Sequence, residues 1–451
     1  MSTNPGELLR RDDDGLALIE GITDRSLSYA ELNMMVRQRA DVLSTCAGAL
    51  IFVGASTTID FVIDYLALLE VDATVALVDP ATSRPTLQSW IGAYRPNAWW
   101  GLANMPDAQL GGDSGKPTAE AVLLPTSGST GNPKFVRLSA ENIVANAEQI
   151  VGALRIDATQ RAMAHLPLHY SYGLSVLNSH LRAGSTVVLC GISALRAEFW
   201  NVMKDQSVTT LPGVPFSYDL YLRMGMLSMD LPALKHFTQA GGRLATDRIL
   251  SVHSALTPRG AQIWVMYGQT EATARMSVLP PEALPEHAGS VGFSVPGSSL
   301  EIDNAQLNRD GEIVFRGRNV MLGYADRRED VDGSDQQRGV LRTGDLGHVD
   351  GEGYLWIVGR SRRIAKVFGT RVNLDDVEDQ LASWGTLAAV DDGERISLFL
   401  ENRDAEGKTA RAAERLLALP PQSIRLQLID KIPTLASGKI DYRALENSKR
   451  A

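Results

Sequence analysis

Short apolar runs alternate with longer amphipathic stretches along the first two thirds of the chain. Strand-like apolar runs occupy residues 49–53 and 75–78, and a helix-like pattern lies between them at residues 65–71. The same rhythm recurs, in runs bounded by turn residues, at residues 121–124, 185–189 and 262–266. This alternation predicts an α/β fold with buried strands.

The pattern changes after Gly311. Short β-like pieces at residues 312–316 and 354–358 are broken by Gly-rich turns such as residues 350–353, which is typical of a small β-barrel or sheet. The last stretch, residues 361–451, has the size of a small α+β domain. We therefore predict a large domain over residues 1–360, built of α/β subdomains plus a small β-barrel, and a separate C-terminal domain over residues 361–451.

Composition narrows the partners and the compartment. The chain has 451 residues, 44% of them apolar, and a net charge of -9 without a long Lys/Arg run, so nucleic-acid binding is not expected. Cys46 and Cys190 lack metal-ligand spacing and fit a reducing compartment. The polar amino terminus does not resemble a secretory signal and no long apolar stretch predicts a membrane span, so we expect a cytoplasmic protein.

A hydroxyl-rich segment between two strand-like runs carries the densest chemical signal. It comprises Thr126, Ser127, Gly128, Ser129, Thr130, Gly131, Asn132, Pro133 and Lys134. Glycines let backbone N–H groups approach an anion, the hydroxyls add donors and the lysine adds a positive charge. The segment therefore predicts a polyphosphate-binding loop. It differs from the G-x-x-x-x-G-K-[ST] loop, and no G-x-G-x-x-G follows a strand, so neither a P-loop NTPase nor a dinucleotide-binding protein is favoured.

Several motifs in a fixed order resemble the adenylate-forming superfamily of acyl-CoA synthetases, non-ribosomal adenylation domains and luciferases. The resemblance covers roughly residues 29–445. Besides the hydroxyl-rich loop, it rests on Ala240-Gly241-Gly242-Arg243, Tyr267-Gly268-Gln269-Thr270-Glu271, Thr343-Gly344-Asp345, Gly359-Arg360 and Ala436-Ser437-Gly438-Lys439-Ile440.

The resemblance implies a role for each matching residue. Tyr267 would stack on adenine, Thr270 would bond the α-phosphate and Glu271 would hold magnesium. Lys439 would be the adenylation lysine, which offsets charge that builds between the carboxylate and the α-phosphate. Asp345 would bind the ribose. The remaining expected nucleotide contacts are Gly241, Gly242, Arg243, Met266, Gly268, Gln269, Ile357 and Arg360.

The acid pocket is expected around the segment that starts at Leu166. Its predicted members are His169, Tyr170, Tyr172, Gly173 and Pro215. Tyr170 stands where many relatives carry histidine, and Gly173 holds the place of an aspartate that pairs with the substrate ammonium in amino-acid-activating relatives. A buried ammonium without a partner is costly, so the resemblance favours an acid that is not an α-amino acid.

The resemblance implies a two-step ligase that uses ATP and Mg²⁺. A small-molecule acid would be adenylated with release of pyrophosphate and then transferred to coenzyme A or to a phosphopantetheinyl carrier protein. The small domain would rotate about a hinge near Arg362 and present Lys366 and Gly369 for the second step. Two alternatives stay open. In the first, the enzyme transfers the activated group to an amine or activates another oxyacid such as nitrite. In the second, the chain is a non-catalytic binding protein that senses an adenylate.

Overall fold

The computed structural model describes most of the chain. The described residues are 8–9, 13–23, 25–108, 118–126, 134–303, 310–360, 363–367, 370–393, 395–417, 421–435 and 440–448. The chain divides into two compact units, of which the first comprises Met1–Leu300 with Phe315–Leu341 and the second Glu301–Val314 with Arg342–Ala451. The prediction of a separate domain that begins at residue 361 stays a prediction.

The first half of the chain alternates strands and helices as the hydrophobic pattern predicts. The elements are β1 (Leu16–Glu20), β2 (Ser26–Ser28), α1 (Tyr29–Val42), β3 (Leu50–Gly54), α2 (Ile59–Glu70), β4 (Thr74–Val78), α3 (Arg84–Tyr94), β5 (Ala98–Trp100), β6 (Val122–Thr126), β7 (Lys134–Leu138), α4 (Ala140–Leu154), β8 (Arg161–Ala164), α5 (Ser171–Ala183), β9 (Thr186–Leu189), α6 (Ala197–Asp205), β10 (Thr210–Gly213), α7 (Pro215–Arg223), β11 (His236–Gln239), α8 (Thr246–Leu256) and β12 (Gln262–Tyr267).

Shorter strands dominate the remainder. These elements are β13 (Ser277–Leu279), β14 (Phe293–Ser294), β15 (Ser299–Ile302), β16 (Gly311–Arg316), β17 (Gly323–Ala325), β18 (Val340–Val349), β19 (Leu355–Arg360), β20 (Ile364–Val367), β21 (Thr370–Asn373), α9 (Leu374–Leu381), β22 (Leu387–Asp391), β23 (Ile396–Leu400), α10 (Glu406–Leu417), β24 (Ile424–Leu428) and α11 (Tyr442–Ser448). None of the helices in the described ranges is long and apolar enough to cross a membrane.

Two sheets form the first unit. One has nine strands in the order β14-β13-β12-β11-β10-β8-β9-β1-β2, and the other has six in the order β17-β7-β6-β4-β3-β5. The central pairs are parallel, for example β3 with β4 and β10 with β11. All five residues of β3 and of β4 are buried, as expected for parallel strands covered on both faces.

Helices pack between these strands and complete the core. The largest apolar cluster joins Val75 of β4 and Val187 of β9 with side chains from α1, α2, α4 and α5, so helices contact both sheets. Helix α1 begins with a capping box in which the Ser28 side chain accepts from the Glu31 backbone and the Glu31 side chain accepts from the Ser28 backbone. Helix α1 is therefore stabilised both by its N-terminal cap and by the burial of its apolar side chains in the core.

The second unit is built around small sheets. Strands β15, β16, β18 and β19 form a four-stranded sheet in the β-rich segment that the sequence indicates. Strands β20 and β21 form an antiparallel pair, and β22, β23 and β24 form a third sheet. The apolar core of the second unit includes Val367, Leu381 and Leu398, with further contacts from α10 side chains.

Candidate functional site

The two ends of the hydroxyl-rich segment lie side by side. Strands β6 and β7 are antiparallel, and Thr126 pairs with Lys134 at the end of their ladder. The predicted strands on both sides of the segment are confirmed. Ser127, Gly128, Ser129, Thr130 and Gly131 lie outside the described residues, as does the side chain of Thr126.

Lys134 begins β7 and faces an acidic and an aromatic neighbour. Its Nζ lies 3.6 Å from Asp326 Oδ2 and 5.7 Å from the ring centroid of Tyr324. Both neighbours are placed by β17, which pairs antiparallel with β7 and sets Tyr324 opposite Val136. The lysine is about one third exposed, so its ammonium stays within reach of a solvent-borne anion.

Glu271 lies in a short 3₁₀ turn directly after β12. The Tyr324 hydroxyl donates to Glu271 Oε1 at 2.8 Å, and the Met321 backbone N–H donates to the Glu271 carbonyl at 2.9 Å. These two bonds hold the turn against the segment that leads into β17. Glu271, Tyr324 and Lys134 are thereby brought together, although they are far apart in sequence.

The backbone after Glu271 turns back sharply. Thr273 and Ala274 have φ angles of 57° and 115°, a region that non-glycine residues seldom adopt. Asn319 donates from Nδ2 to the carbonyl oxygens of Ala272 at 2.8 Å and Arg275 at 3.1 Å, which holds the turn in this conformation. Such strained backbone concentrates at functional sites.

Thr270 faces the start of α5. Its Oγ1 lies 3.0 Å from Ser171 Oγ, the first residue of that helix. The predicted α-phosphate contact is thus next to the segment predicted to line the acid pocket. Met266 and Tyr267 precede it: Met266 is buried in an apolar cluster, and Tyr267 packs against that cluster.

The turn predicted to bind the nucleotide, Gly241 and Gly242, lies against Tyr170 and Pro215, which are predicted to line the acid pocket. Gly241 has a φ of 82°, and a Cβ atom added to it would lie 2.5 Å from the Tyr170 hydroxyl oxygen. A Cβ at Gly242 would approach Pro215 Cγ at 3.1 Å. Burial raises the pKa of the Tyr170 hydroxyl to about 12, so this group is a neutral hydrogen-bonding partner at ordinary pH. Arg243, the next residue in the turn, is exposed.

Tyr172 and Gly173, at the start of α5, are packed closely against neighbouring residues. The buried Tyr172 hydroxyl lies 2.9 Å from the Thr238 carbonyl oxygen and 2.8 Å from Thr238 Oγ1. A Cβ at Gly173 would lie 2.2 Å from the Pro167 carbonyl oxygen, so an aspartate cannot occupy that position without moving the backbone.

His169 lies beside Asp79, at the end of β4. Its Nε2 is 3.9 Å from Asp79 Oδ2. Burial lowers the pKa of the His169 imidazole, and the Asp79 carboxylate opposes that shift. His169 is therefore a mostly buried side chain next to the predicted pocket.

In the second unit, Asp345 is buried and bonded to Arg360. Arg360 Nε donates to Asp345 Oδ1 at 2.9 Å across the β18–β19 pair, while the Asp345 backbone N–H donates to Thr343 Oγ1 at 3.0 Å. Ile357 lies on the same strand as Arg360 and is partly buried. Asp345, which is predicted to bind the ribose, and Arg360, which is predicted to contact the nucleotide, are thus bonded to each other.

Four further predicted residues belong to the second unit. Lys366 lies in β20, opposite Arg371 of β21, but its side chain is outside the described part of the chain. Arg362, Gly369 and Lys439 also lie outside it. Their roles at the hinge, in the second step and in adenylation stay predictions.

Sequence reasoning missed four residues that the structure places beside the predicted ones. Tyr324 and Asp326 reach the site through β17, a strand of three residues without a readable periodicity. Ser171 contacts Thr270, and the buried Arg275 lies four residues after Glu271. The signal for Arg275 was available, because a charged residue inside a short apolar stretch before a strand is unusual.

Sequence comparisons find one matching family model and relatives that are CoA ligases. The sequence model of a family described as AMP-binding enzyme matches residues 93–325. Indoleacetate–CoA ligase of Aromatoleum aromaticum is 29% identical over 89% of this chain and 79% of its own length. Oxalate–CoA ligase of Arabidopsis thaliana is 30% identical over 72% of this chain and 67% of its own.

Solved structures resemble the whole chain. The o-succinylbenzoate CoA synthetase of Bacillus subtilis, in complex with its acyl-adenylate intermediate, has a TM-score of 0.80 at 21% identity and covers 99% of this chain and 98% of its own. An anthranilate CoA ligase in complex with anthranoyl-AMP has a TM-score of 0.81 at 18% identity, covering 99% and 97%. The predicted α/β architecture is confirmed.

Proposed function

Because this chain belongs to the AMP-binding enzyme family, within the adenylate-forming superfamily, we propose that it adenylates a carboxylic acid and transfers the acyl group to a thiol. The two curated relatives named above are CoA ligases, which supports coenzyme A as the thiol. The packed backbone at Gly173 supports an acid that is not an α-amino acid.

The observation that carries the proposal is the meeting of Lys134, Tyr324 and Glu271 at one edge of the six-stranded sheet. A cation and a carboxylate on adjacent elements match the needs of a metal-bound triphosphate, where the lysine neutralises phosphate charge and the carboxylate binds the cation. Thr270, within hydrogen-bond distance of Ser171, supplies a hydroxyl between the phosphate side and the acid side.

Magnesium fits this group of residues. Glu271 offers a carboxylate oxygen, Oε1, that is oriented by the Tyr324 hydroxyl, and hard cations of this kind are bound in many enzymes by one or two carboxylates plus substrate phosphates. When bound, the ion supplies charge neutralisation on the phosphates. Tyr324 holds the Glu271 carboxylate in position, and Lys134 lies next to the leaving phosphates.

In the first step, an oxygen of the acid attacks the α-phosphorus, the bond to the pyrophosphate oxygen breaks, and an acyl-adenylate forms. Catalysis of this step consists mostly of positioning and charge neutralisation. In the second step, a thiolate attacks the acyl carbon and AMP leaves. Lys439 acts in the first step only, and Lys366 and Gly369 serve the second after rotation about Arg362.

The experiment that tests the division of labour is a pair of half-reaction assays on Lys439→Ala. We expect adenylate formation, measured as pyrophosphate release, to fall by roughly 100- to 1000-fold, since one preorganised charge is removed. Thioester formation from supplied acyl-adenylate should keep its wild-type rate. Equal loss in both assays, with unchanged thermal unfolding, contradicts the proposal.

The acceptor is tested separately. Wild-type protein loaded with acyl-adenylate is offered coenzyme A, a phosphopantetheinylated carrier protein or a primary amine, and product formation is followed for each. We expect the thioester with coenzyme A to form fastest. Amide formation alone supports an amine-transferring ligase, and pyrophosphate release with nitrite but with no carboxylic acid supports oxyacid activation. Nucleotide binding without pyrophosphate release supports a sensor.

A further inference from the structure

One buried cation beside the predicted acid pocket has no role in the chemistry above. Arg275 is 2% exposed, and its guanidinium carbon lies 4.6 Å from the ring centroid of Tyr172. Its Nη2 is 3.4 Å from Ser175 Oγ, a long contact, and its Nε has no hydrogen-bond partner in the part of the chain that the structure describes. The head group is therefore buried with little polar compensation.

The other buried arginines are held differently. Arg137 forms a 2.7 Å ion pair with Glu120 and also donates to backbone carbonyl groups, and Arg182 forms an ion pair with Glu148. Within the described ranges, no carboxylate lies within ion-pair distance of Arg275, and its guanidinium lies instead over the ring of Tyr172. Arg275 is thus the exception among the three arginines that are buried in the described part of the chain.

An unpaired buried cation is unfavourable for the folded protein. Burial lowers the pKa of the Arg275 guanidinium, but an arginine stays charged at any physiological pH. The face of Tyr172 offers a cation–π contact that offsets only part of the lost hydration. An anion that enters beside Arg275 recovers the rest through charge-assisted hydrogen bonds.

The position of Arg275 relates it to the acid rather than to the nucleotide. Ser175, its contact, lies four residues after Ser171 on α5, and Ser171 contacts Thr270. Four helical residues span about 6 Å along the helix axis. Arg275 therefore contacts α5 about one helical turn beyond Ser171, and it also contacts Tyr172.

From this placement we propose that the acid substrate carries a second anionic group, a distal carboxylate, and that Arg275 binds it. The inference rests on the proposed function, because it assigns the far end of the same acid pocket. A substrate with an ammonium group at this depth is excluded by charge repulsion, and an uncharged acyl chain leaves the guanidinium without a partner.

The first experiment compares matched acids in the pyrophosphate-release assay. Succinic, glutaric and adipic acids are each paired with the corresponding half-amide, which has nearly the same shape but no second charge. For at least one chain length we expect the diacid to be used roughly 100-fold better, measured as kcat/KM, because a site built to bind a charged group discriminates strongly against its neutral analogue.

Variants of Arg275 then test whether that preference depends on the guanidinium. Arg275→Gln should reduce kcat/KM for the diacid by roughly 100-fold and leave the half-amide within a few-fold of wild type. Arg275→Lys should keep part of the preference, since it retains the charge without the paired donors. If Arg275→Gln lowers kcat/KM for the diacid and for the half-amide to the same degree, Arg275 does not bind the second carboxylate.

Thermal unfolding without substrate separates this role from a structural one. Arg275→Met should leave the unfolding temperature unchanged or raise it, because it removes an uncompensated buried charge. The matched variant Arg137→Met, which breaks a paired buried arginine, should lower it. A marked fall for Arg275→Met, together with no preference for diacids in wild type, overturns the proposal.

The outcomes distinguish this proposal from the proposed function. If monoacids and half-amides release pyrophosphate as well as diacids do, the assignment of Arg275 fails and the ligase activity stands. If no acid of either kind releases pyrophosphate, the ligase activity fails, and calorimetric binding of glutarate and its half-amide in the presence of MgATP decides the assignment by itself. Tighter binding of the diacid that Arg275→Gln removes supports it, and equal binding overturns it.

Discussion

Strand β7 carries a cation near each end, and the two are held in opposite ways. Arg137, near the C-terminal end, is fully buried with its ion-pair partner Glu120 and donates from Nη2 to the Ser334 carbonyl at 2.9 Å. Lys134, at the N-terminal end, is about one third exposed and lies 3.6 Å from Asp326.

The difference reflects the task of each charge. Pairing offsets the several kcal/mol that an uncompensated buried charge costs, and Arg137 uses its bonds to hold the segment around Ser334 against β7. Lys134 ends the hydroxyl-rich segment and is about one third exposed, so a phosphate from solvent can approach its ammonium. Substitution of Arg137 should therefore change mainly the stability of the protein, and substitution of Lys134 should change mainly its activity.

The largest expected effect concerns the buried pair. Arg137→Met leaves Glu120 buried without its partner and should lower the free energy of unfolding in urea by about 3–5 kcal/mol. The double variant Glu120→Leu with Arg137→Met removes both charges and should recover much of that loss. If the single variant unfolds at the wild-type urea concentration, the pair does not anchor the interior end.

The next largest expected effect is the pH dependence of the free energy of unfolding, which the buried His180 should cause. Burial lowers the pKa of the His180 imidazole on α5 to about 4, below its ordinary 6.5. Between these values the unfolded chain takes up a proton that the folded chain refuses, so the free energy of unfolding should fall by about 3 kcal/mol from this group as pH drops from 6.5 to 4.

The matched variants for this pH effect are His180→Gln and His165→Gln. Burial likewise lowers the pKa of the His165 imidazole to about 4. Each variant should show a shallower acid dependence of urea unfolding than wild type, and the double variant a shallower one still. Identical slopes in all four proteins mean that these two residues do not link folding to proton uptake.

The exposed end of β7 should show the reverse behaviour. Lys134→Ala should reduce the rate of pyrophosphate release by about 100-fold, since one charge next to the phosphates is lost, while urea unfolding changes by less than about 0.5 kcal/mol. Lys134→Arg keeps the charge and should retain more activity than the alanine variant. A loss of stability as large as that of Arg137→Met removes the contrast between the two ends.

The smallest expected effect concerns the tyrosine that links this end to the metal-binding carboxylate. Tyr324→Phe removes the 2.8 Å hydrogen bond to Glu271 Oε1 but keeps the ring beside Lys134. We expect about a 10-fold lower rate of pyrophosphate release and a higher magnesium concentration for half-maximal activity, because the Glu271 carboxylate loses its orientation. An unchanged magnesium dependence indicates that Glu271 is positioned by its backbone alone.

Much of the fold was predictable because the signals are local. The runs at residues 49–53 and 75–78 become β3 and β4, and the strands on both sides of the hydroxyl-rich segment form as the apolar pattern indicates. Hydrophobic periodicity and turn residues indicate such elements without knowledge of their tertiary contacts.

What the sequence does not reveal depends on contacts between distant residues. The pairing of β17 with β7 joins residues almost 200 positions apart, and a strand of three residues has no periodicity to announce it. The partner of Arg137 and the isolation of Arg275 are likewise properties of packing, since all arginines look alike in a sequence. The roles of Lys439 and Arg362 stay predictions.

The late arrival of β17 has a consequence for biosynthesis. Strands β3 to β7 are complete in the nascent chain by residue 138, but the outer edge of β7 acquires its neighbour only when residues 323–325 leave the ribosome. Until then the strand that carries Lys134 and Arg137 offers unpaired backbone groups to any other chain. Ribosome-bound fragments that end before residue 323 should therefore aggregate or recruit chaperones more readily than those that extend beyond residue 340.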